Sequence, residues 1–218
     1  MSRKIGRTVA AFSALLLPLT LVFSVATASE NDSASRDLLQ AILTGDSDAF
    51  ENAVALGADP NRIFGRFDDE WAMCAATQEG KEKYLARLIS IGGDPNLVNE
   101  EAGFSDEYPA TCAMINGNKV AFDVLIESGA NPNALTCRGC GPERQDSLFI
   151  AAIGSATFDI ALELLHLTTV SEDDLVRLAS ILESRRTRPG SDTARITWKF
   201  ADYLRERGID VNPAVPRP

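Results

Sequence analysis

The chain has 218 residues, 45% of them hydrophobic and 24% charged, a composition typical of one medium-sized globular domain. Its 31 acidic residues outnumber 21 basic ones, and the formal net charge of -10 argues against nucleic acid or an anionic membrane as the main partner. A single histidine, His166, excludes metal sites that need two histidines. Composition therefore removes several classes of enzyme before any motif is considered.

The first 28 residues have the features of a secretory signal peptide. Three basic residues precede an uncharged, largely apolar stretch, and Ala26-Thr27-Ala28 matches the small-x-small pattern that signal peptidase cleaves. We expect cleavage after Ala28 and a mature protein that is periplasmic or secreted and free of the membrane. The alternative is an uncleaved anchor, because about 20 apolar residues can span a bilayer.

After a polar linker predicted at 29–36, the sequence repeats itself. The motif at 57–61, Gly-Ala-Asp-Pro-Asn, recurs in similar form at 92–96 and at 129–133, at spacings of 35 and 37 residues. A similar motif recurs once more at 208–212. The interval between 133 and 212 is long enough for one degenerate unit and a last unit. We therefore expect about five units.

The pattern within each unit predicts two helices. The second helix has apolar residues three and four apart, which is the spacing of a one-sided helix. These positions are Phe50, Ala53 and Val54; Leu85, Leu88 and Ile89; and Phe122, Leu125 and Ile126. Glycine stands where each helix should end, because a residue without a Cβ adopts the left-handed turn that stops a helix. The prediction is helix, turn, helix, glycine stop and loop.

The third unit matches a known family pattern most closely, and it resembles the ankyrin repeat. The matching residues are Pro109, Ala113, Gly117, Leu125, Ile126, Gly129, Ala130, Asn131 and Asn133. The resemblance implies an all-α, ankyrin-type helical solenoid of about five repeats, with repeats 1–4 at 37–169 and a degenerate fourth unit. The Thr and His of the family's helix start are missing, so another hydrogen-bond network must begin these helices.

The fifth unit is predicted to be a C-terminal cap at 170–213, followed by a tail at 214–218. Ser171 and the acids after it form a capping box that begins one helix. A second helix is expected from about Thr193 to Arg207. A terminal repeat needs a polar outer side, since nothing stacks on it, and the charges here supply one.

Two loops predict a surface for a protein partner, because aromatic residues flank acidic ones at the same place in successive units. Exposed aromatic side chains dominate the energetics of protein interfaces. The candidate partner-binding residues are Phe64, Phe67, Asp69, Trp71, Glu101, Phe104, Asp106 and Tyr108. For Trp71 and Tyr108 the alternative is structural: both stand at a helix start and could simply cover the end of that helix.

Four cysteines in an exported protein indicate disulfides. We favour a bridge between Cys137 and Cys140, with Cys74 and Cys112 as a possible second pair. Alternatively, Cys112 could reach the loop of the next unit that carries Cys137. Stacked helices lie about 8 to 10 Å apart, beyond the roughly 7 Å limit between the Cα atoms of a bridge, which argues against the second pair. Zinc would need two further ligands, and no strand precedes the C-x-x-C pair as a thioredoxin-like site requires.

No catalytic motif is recognisable: the chain has no nucleophile elbow, phosphate-binding loop or zinc-protease motif. We therefore predict a monomeric, non-catalytic interaction module without cofactor or metal, which binds a protein through its concave face and loops. An inhibitor, immunity or protective partner of an envelope protein is one such role. The alternatives are a redox or metal-handling protein that uses Cys137 and Cys140, and a purely structural envelope module.

Overall fold

The computed structural model describes most of the chain, and the statements below refer to that part. The described residues are 28–65, 67, 70–100, 108–136 and 145–217, with the side chains of 28–30 left aside. The predicted signal peptide therefore lies almost wholly outside the described residues. Within them, no helix is both long and apolar enough to cross a membrane.

Helices account for most of the described chain, as predicted for an all-α protein. In chain order they are α1 (Ala28–Thr44), α2 (Ser47–Ala55), α3 (Ala72–Ala75), α4 (Glu82–Ser90), α5 (Pro109–Ile115), α6 (Lys119–Glu127), α7 (Leu148–Gly154), α8 (Phe158–Leu167), α9 (Glu172–Ser184) and α10 (Asp192–Glu206). Consecutive helices form five pairs, numbered here in chain order from α1/α2 to α9/α10.

The helix pairs stack side by side in two rows. The first helices of the pairs contact one another in sequence, α1 with α3, α3 with α5, α5 with α7 and α7 with α9. The second helices make a parallel row in which α4 contacts α6, α6 contacts α8, and α8 contacts α10. Each pair therefore buries its apolar surface mainly against the pairs before and after it.

The core lies between the two rows and uses the positions that the helical spacing predicts. Phe50, Leu85 and Phe122 occupy corresponding places in α2, α4 and α6, and each is no more than 1% exposed. The first helices contribute small residues: Ala75 and Ala113 are fully buried, which allows α3 and α5 to approach closely. The apolar stripe of each second helix thus packs onto a layer of short, alanine-rich helices.

Glycines end the helices of the first three pairs. Gly57, Gly92 and Gly129 follow the second helices with φ values of 84°, 102° and 94°, in the left-handed region that costs glycine least. The fourth pair differs, because Ala156 adopts φ 63° after α7 where a glycine is used after α5. A Cβ in that region is strained, so this turn is a local weak point.

The first helix begins earlier than the sequence indicated. The segment 29–36, predicted as a polar linker, belongs to α1, and both Ala34 and Ser35 are buried. Ala34, Leu38 and Ile42 recur every four residues on one face of the helix, against the core. The segment was predicted to be a linker because polar residues surround this apolar stripe.

Hydroxyl groups form hydrogen bonds at several helix starts where the Thr and His pair is missing. At α5, the Thr111 Oγ1 accepts a hydrogen bond from the backbone N–H of Tyr108 at 3.0 Å and donates one to the carbonyl of Tyr108 at 2.7 Å. Ser171 and Ser191 cap α9 and α10 by accepting from backbone N–H groups three residues on. These two caps agree with the predicted helix starts.

A small antiparallel hairpin was not predicted. Its strands are β1 (Leu135–Thr136) and β2 (Asp146–Ser147), and it pairs Leu135 with Ser147 and Thr136 with Asp146. The hairpin leads directly into α7, whose first turn is capped by the Ser147 side chain. It therefore projects from the end of the third pair beside the fourth.

The residues after 213, predicted as a tail, are part of the packed structure. Val215 is 2% exposed, and its carbonyl accepts a hydrogen bond from the Trp198 indole N–H at 3.2 Å. The backbone N–H of Ala214 donates to the carbonyl of Leu182 at 3.1 Å. The chain end therefore covers the last helix pair and is not a loose extension.

Candidate functional site

Glu70 is hydrogen-bonded to two described residues of the loop that enters α3. The backbone N–H of Phe64 donates to the carbonyl of Glu70 at 2.9 Å, next to an antiparallel bridge between Ile63 and Trp71. The Glu70 carboxylate also accepts from the backbone N–H of Phe67 at 3.0 Å. It lies over Gly65, where an added Cβ would be only 2.1 Å from a carboxylate oxygen. Glu70 thus links the described residues Phe64 and Phe67 to the start of α3.

Phe67 lies in that loop, and the residue is 56% exposed. The Glu70 carboxylate holds its backbone N–H, so a partner that covered the ring would meet a backbone that is already bound at this point. Among the candidate residues that the structure describes, Phe67 is the most exposed.

Phe64 lies in the same loop. It is half-buried, packs against the core, and lies under the guanidinium groups of Arg36 and Arg62, whose Cζ atoms are 4.2 and 5.7 Å from its ring centre. Arg62 also pairs with Asp32 at 2.8 Å. Cation–π contacts of this kind hold the ring in place, so Phe64 supports the loop more than it offers free surface.

Trp71 does not belong to the candidate surface. It follows the alternative given above, in which the side chain covers the start of a helix. Its side chain is 0% exposed, because Trp71 begins α3 with extended backbone and directs the indole into the core. The indole N–H has no hydrogen-bond partner within the described part of the chain. Tyr108 begins α5 in the same way but is only half-buried, and it lines a groove of about 410 Å³ with Asn96 and Asn133.

The remaining candidate residues belong to segments outside the described part of the chain. Four predicted partner-binding residues lie outside the described residues: Asp69, Glu101, Phe104 and Asp106. The pair Cys137 and Cys140, favoured as a disulfide from sequence, lies outside them too.

Cys74 and Cys112, which the sequence left as a possible second pair, form a disulfide between α3 and α5. Their Cα atoms are 5.5 Å apart, and both residues are buried. The expectation that stacked helices hold them too far apart was wrong. The distance expected for stacked helices is measured between helix axes. The two cysteines instead lie on the facing sides of short helices that contain alanines, so their Cα atoms come closer than the axes do.

Asparagine side chains connect the loops between pairs, a feature that the sequence analysis missed. The Asn61 amide donates to the carbonyl of Gly92 at 3.0 Å and accepts from the N–H of Asp94 at 2.7 Å. The Asn96 amide repeats this with Gly129, at 2.9 Å, and Asn131, at 2.7 Å. We call this series the asparagine ladder. The recurrence of the last Asn in each motif was its only sign in the sequence.

Ion pairs join neighbouring second helices on the outer side. Arg87 on α4 donates two hydrogen bonds of 3.0 Å to the Glu51 carboxylate on α2, which lowers the pKa of Glu51 and raises that of Arg87. Lys119 on α6 contacts both Asp123 and Glu163. Burial lowers the pKa of Lys119, but the hydrogen bonds to the two carboxylates outweigh it and raise the pKa. These ion pairs link neighbouring second helices of the stack.

No group of three or more His, Cys, Asp or Glu side chains suited to a metal ion occurs in the parts of the chain that the structure describes. Comparison of the sequence with the models of known protein families and with curated proteins gave no match.

Proposed function

We propose that the chain is an exported, ankyrin-type repeat protein that binds another protein through its concave face and inter-repeat loops. The observation that carries this proposal is Phe67, a residue 56% exposed whose backbone N–H is held by the Glu70 carboxylate. A helical array of this kind leaves one extended surface and a row of loops for recognition. No cofactor takes part.

The ankyrin assignment is supported by features that recur from pair to pair. Left-handed glycines end both helices of the first three pairs, and the asparagine ladder joins their loops. Two rows of stacked helices are the arrangement expected of a solenoid, in which each unit contacts its neighbours. The degenerate fourth unit and the capping fifth unit fit the same scheme.

Export is supported by the buried disulfide between Cys74 and Cys112, since such bridges persist in oxidising compartments. An inhibitor or protective partner of an exported protein is the role we favour. The acidic composition, with a net charge of -10 for the whole chain, suits a basic target that is steered by charge.

Affinity capture tests the proposal. Mature protein, residues 29–218, is immobilised and exposed to an envelope extract of its source organism, beside a variant that carries Phe67→Ala and Phe104→Ala. We expect one stoichiometric partner on the wild type and its loss on the variant, with unchanged helicity by circular dichroism. If the variant retains the partner, these loops are not part of the binding site. If no partner is enriched on the wild type, the proposed binding function is refuted.

A further inference from the structure

The asparagine ladder ends at Asn133 with an open amide. Asn61 and Asn96 each bind the backbone of the next loop, but the Asn133 side chain has no hydrogen-bond partner among the residues that the structure describes. Its backbone is nevertheless fixed as in the preceding unit, because the N–H of Asn133 donates to the Asn131 Oδ1 at 3.0 Å. The backbone of the last rung is thus in place, and its side chain has no partner among the described residues.

The reason is that the fourth pair has no loop to offer. In the earlier pairs the chain turns at Gly92 or Gly129 and presents a carbonyl and, two residues on, an N–H to the asparagine. After α8 the chain instead becomes extended at Thr168, with φ -120° and ψ 159°, and enters α9 at Ser171. This short connection therefore supplies no hydrogen-bond partner for the Asn133 side chain within the described part of the chain.

Asn133 lines a groove of about 670 Å³ between the β1/β2 hairpin and α9. Its lining is mixed: Leu135 on β1 and Val176 on α9 are apolar and exposed by 46% and 59%. Two acids of α9 also line it: Asp173 is exposed, and Asp174 accepts a hydrogen bond from the Ser147 hydroxyl at 2.9 Å. Arg177 lines the groove as well, donates to Asp146 at 2.5 Å and lies within the field of Asp174, so Asp173 is the acid that the groove offers to a cation.

We propose that this groove binds a segment of a partner polypeptide that carries Lys or Arg. The Asn133 amide would donate to a backbone carbonyl and accept from the N–H two residues later, as Asn61 and Asn96 do within the chain. Asp173 attracts the basic side chain, and Leu135 and Val176 contact its aliphatic part. This inference rests on the proposed function and adds a second contact region at the far side of the array.

A phage-displayed library of random peptides, selected on mature protein, provides the probe. Peptides that are recovered are synthesised, and their dissociation constants are measured for the wild type, for Asn133→Leu and for Phe67→Ala. The variant Asn96→Leu serves as a structural control. Since Asn96 holds two hydrogen bonds and the Asn133 side chain holds none in the described chain, only Asn96→Leu should lower the melting temperature.

We expect Lys- or Arg-containing peptides that bind about tenfold more weakly to Asn133→Leu, the loss expected for two hydrogen bonds, and equally to Phe67→Ala. Their addition should also shift the NMR signals of the Asn133 side-chain amide. A library that yields no Asn133-dependent peptide would overturn the proposal. Peptides whose binding is lost only with Phe67→Ala would overturn the groove proposal and leave the proposed function standing. Asn133-dependent peptides combined with a failed affinity capture would give the opposite result: the groove would stand and the proposed function would fail.

Discussion

Cys74 and Cys112 join α3 to α5 through a disulfide inside the helix stack, with their Cα atoms 5.5 Å apart and a sequence separation of 38. The bond ties the second pair to the third at the side where the helices are shortest, since α3 has only 4 residues and α5 has 7. Short helices of this kind have little stability of their own, so a covalent link between them contributes strongly to the array.

Replacement of both Cys74 and Cys112 by Ala should lower the free energy of unfolding by about 4 kcal/mol, because a cross-link over a loop of this length restricts the unfolded chain. Urea unfolding followed by circular dichroism measures the change. Replacing Cys137 and Cys140 by Ala is the matched control and should cost much less, since only two residues separate them. Equal losses in the two double variants would contradict the structural role assigned here.

Ala156→Gly should stabilise the protein by roughly 0.5–1 kcal/mol, since Ala156 holds φ 63°, where a Cβ is strained. The mirror substitution, Gly117→Ala, should destabilise it by a similar amount. Gly117 has φ 64° and no neighbouring atom within 4 Å of an added Cβ, so the loss would reflect backbone strain alone. Thermal unfolding of both variants provides the comparison, and a gain from Gly117→Ala would refute the explanation.

Deletion of residues 214–218 should lower stability by roughly 2–3 kcal/mol, because it exposes the surface under Val215 and removes the acceptor of the Trp198 indole N–H. Deletion of 217–218 alone removes an exposed ion pair between Arg217 and Asp202 and should cost less than about 1 kcal/mol. Differential scanning calorimetry distinguishes the two truncations. If both melt like the full chain, the chain end does not cover the last pair in solution.

Acid should weaken the contact between the second and third pairs at Glu82. Hydrogen bonds from its own backbone N–H, from Asn118 and from Gly80 lower the pKa of Glu82, although burial opposes the shift. A carboxyl whose pKa is lowered by folding stabilises the protein above its unfolded pKa, and this stabilisation is lost as the pH falls through the folded pKa.

We therefore expect the melting temperature to fall from about pH 5 to about pH 3, and to fall less in Glu82→Gln. Glu51→Gln is the matched control, because the pKa of Glu51 is also lowered but its side chain is 55% exposed and its pair with Arg87 is screened by solvent. A Glu82→Gln variant with the wild-type pH profile would show that this carboxyl does not link the two pairs.

The helices could be predicted because their signals are local. Phe122 and Leu125 follow the helical spacing and are buried, and Ser171 caps the helix that its motif predicted. The last helix begins close to its predicted start at Thr193, although its cap, Ser191, was not predicted. The start of α1 was missed because Ala34 and Ser35 are short residues whose burial depends on the neighbouring pair.

Features that depend on contacts between pairs were beyond a single sequence. The distance between Cys74 and Cys112 follows from how closely α3 and α5 approach, and the burial of Trp71 follows from the direction of the chain as it enters α3. The recurring Asn61, Asn96 and Asn133 were visible as a motif, but their partners lie in the next loop along the stack. Spacing along one chain does not report such distances.

The central claim is that the chain binds a protein partner through the loop that presents Phe67. Its most direct test is isothermal titration calorimetry of the captured partner with the wild type and with Phe67→Ala. We predict binding about 30-fold weaker for the variant, as loss of an aromatic anchor of about 2 kcal/mol requires, with an unchanged melting temperature. The same dissociation constant for both proteins would contradict the account.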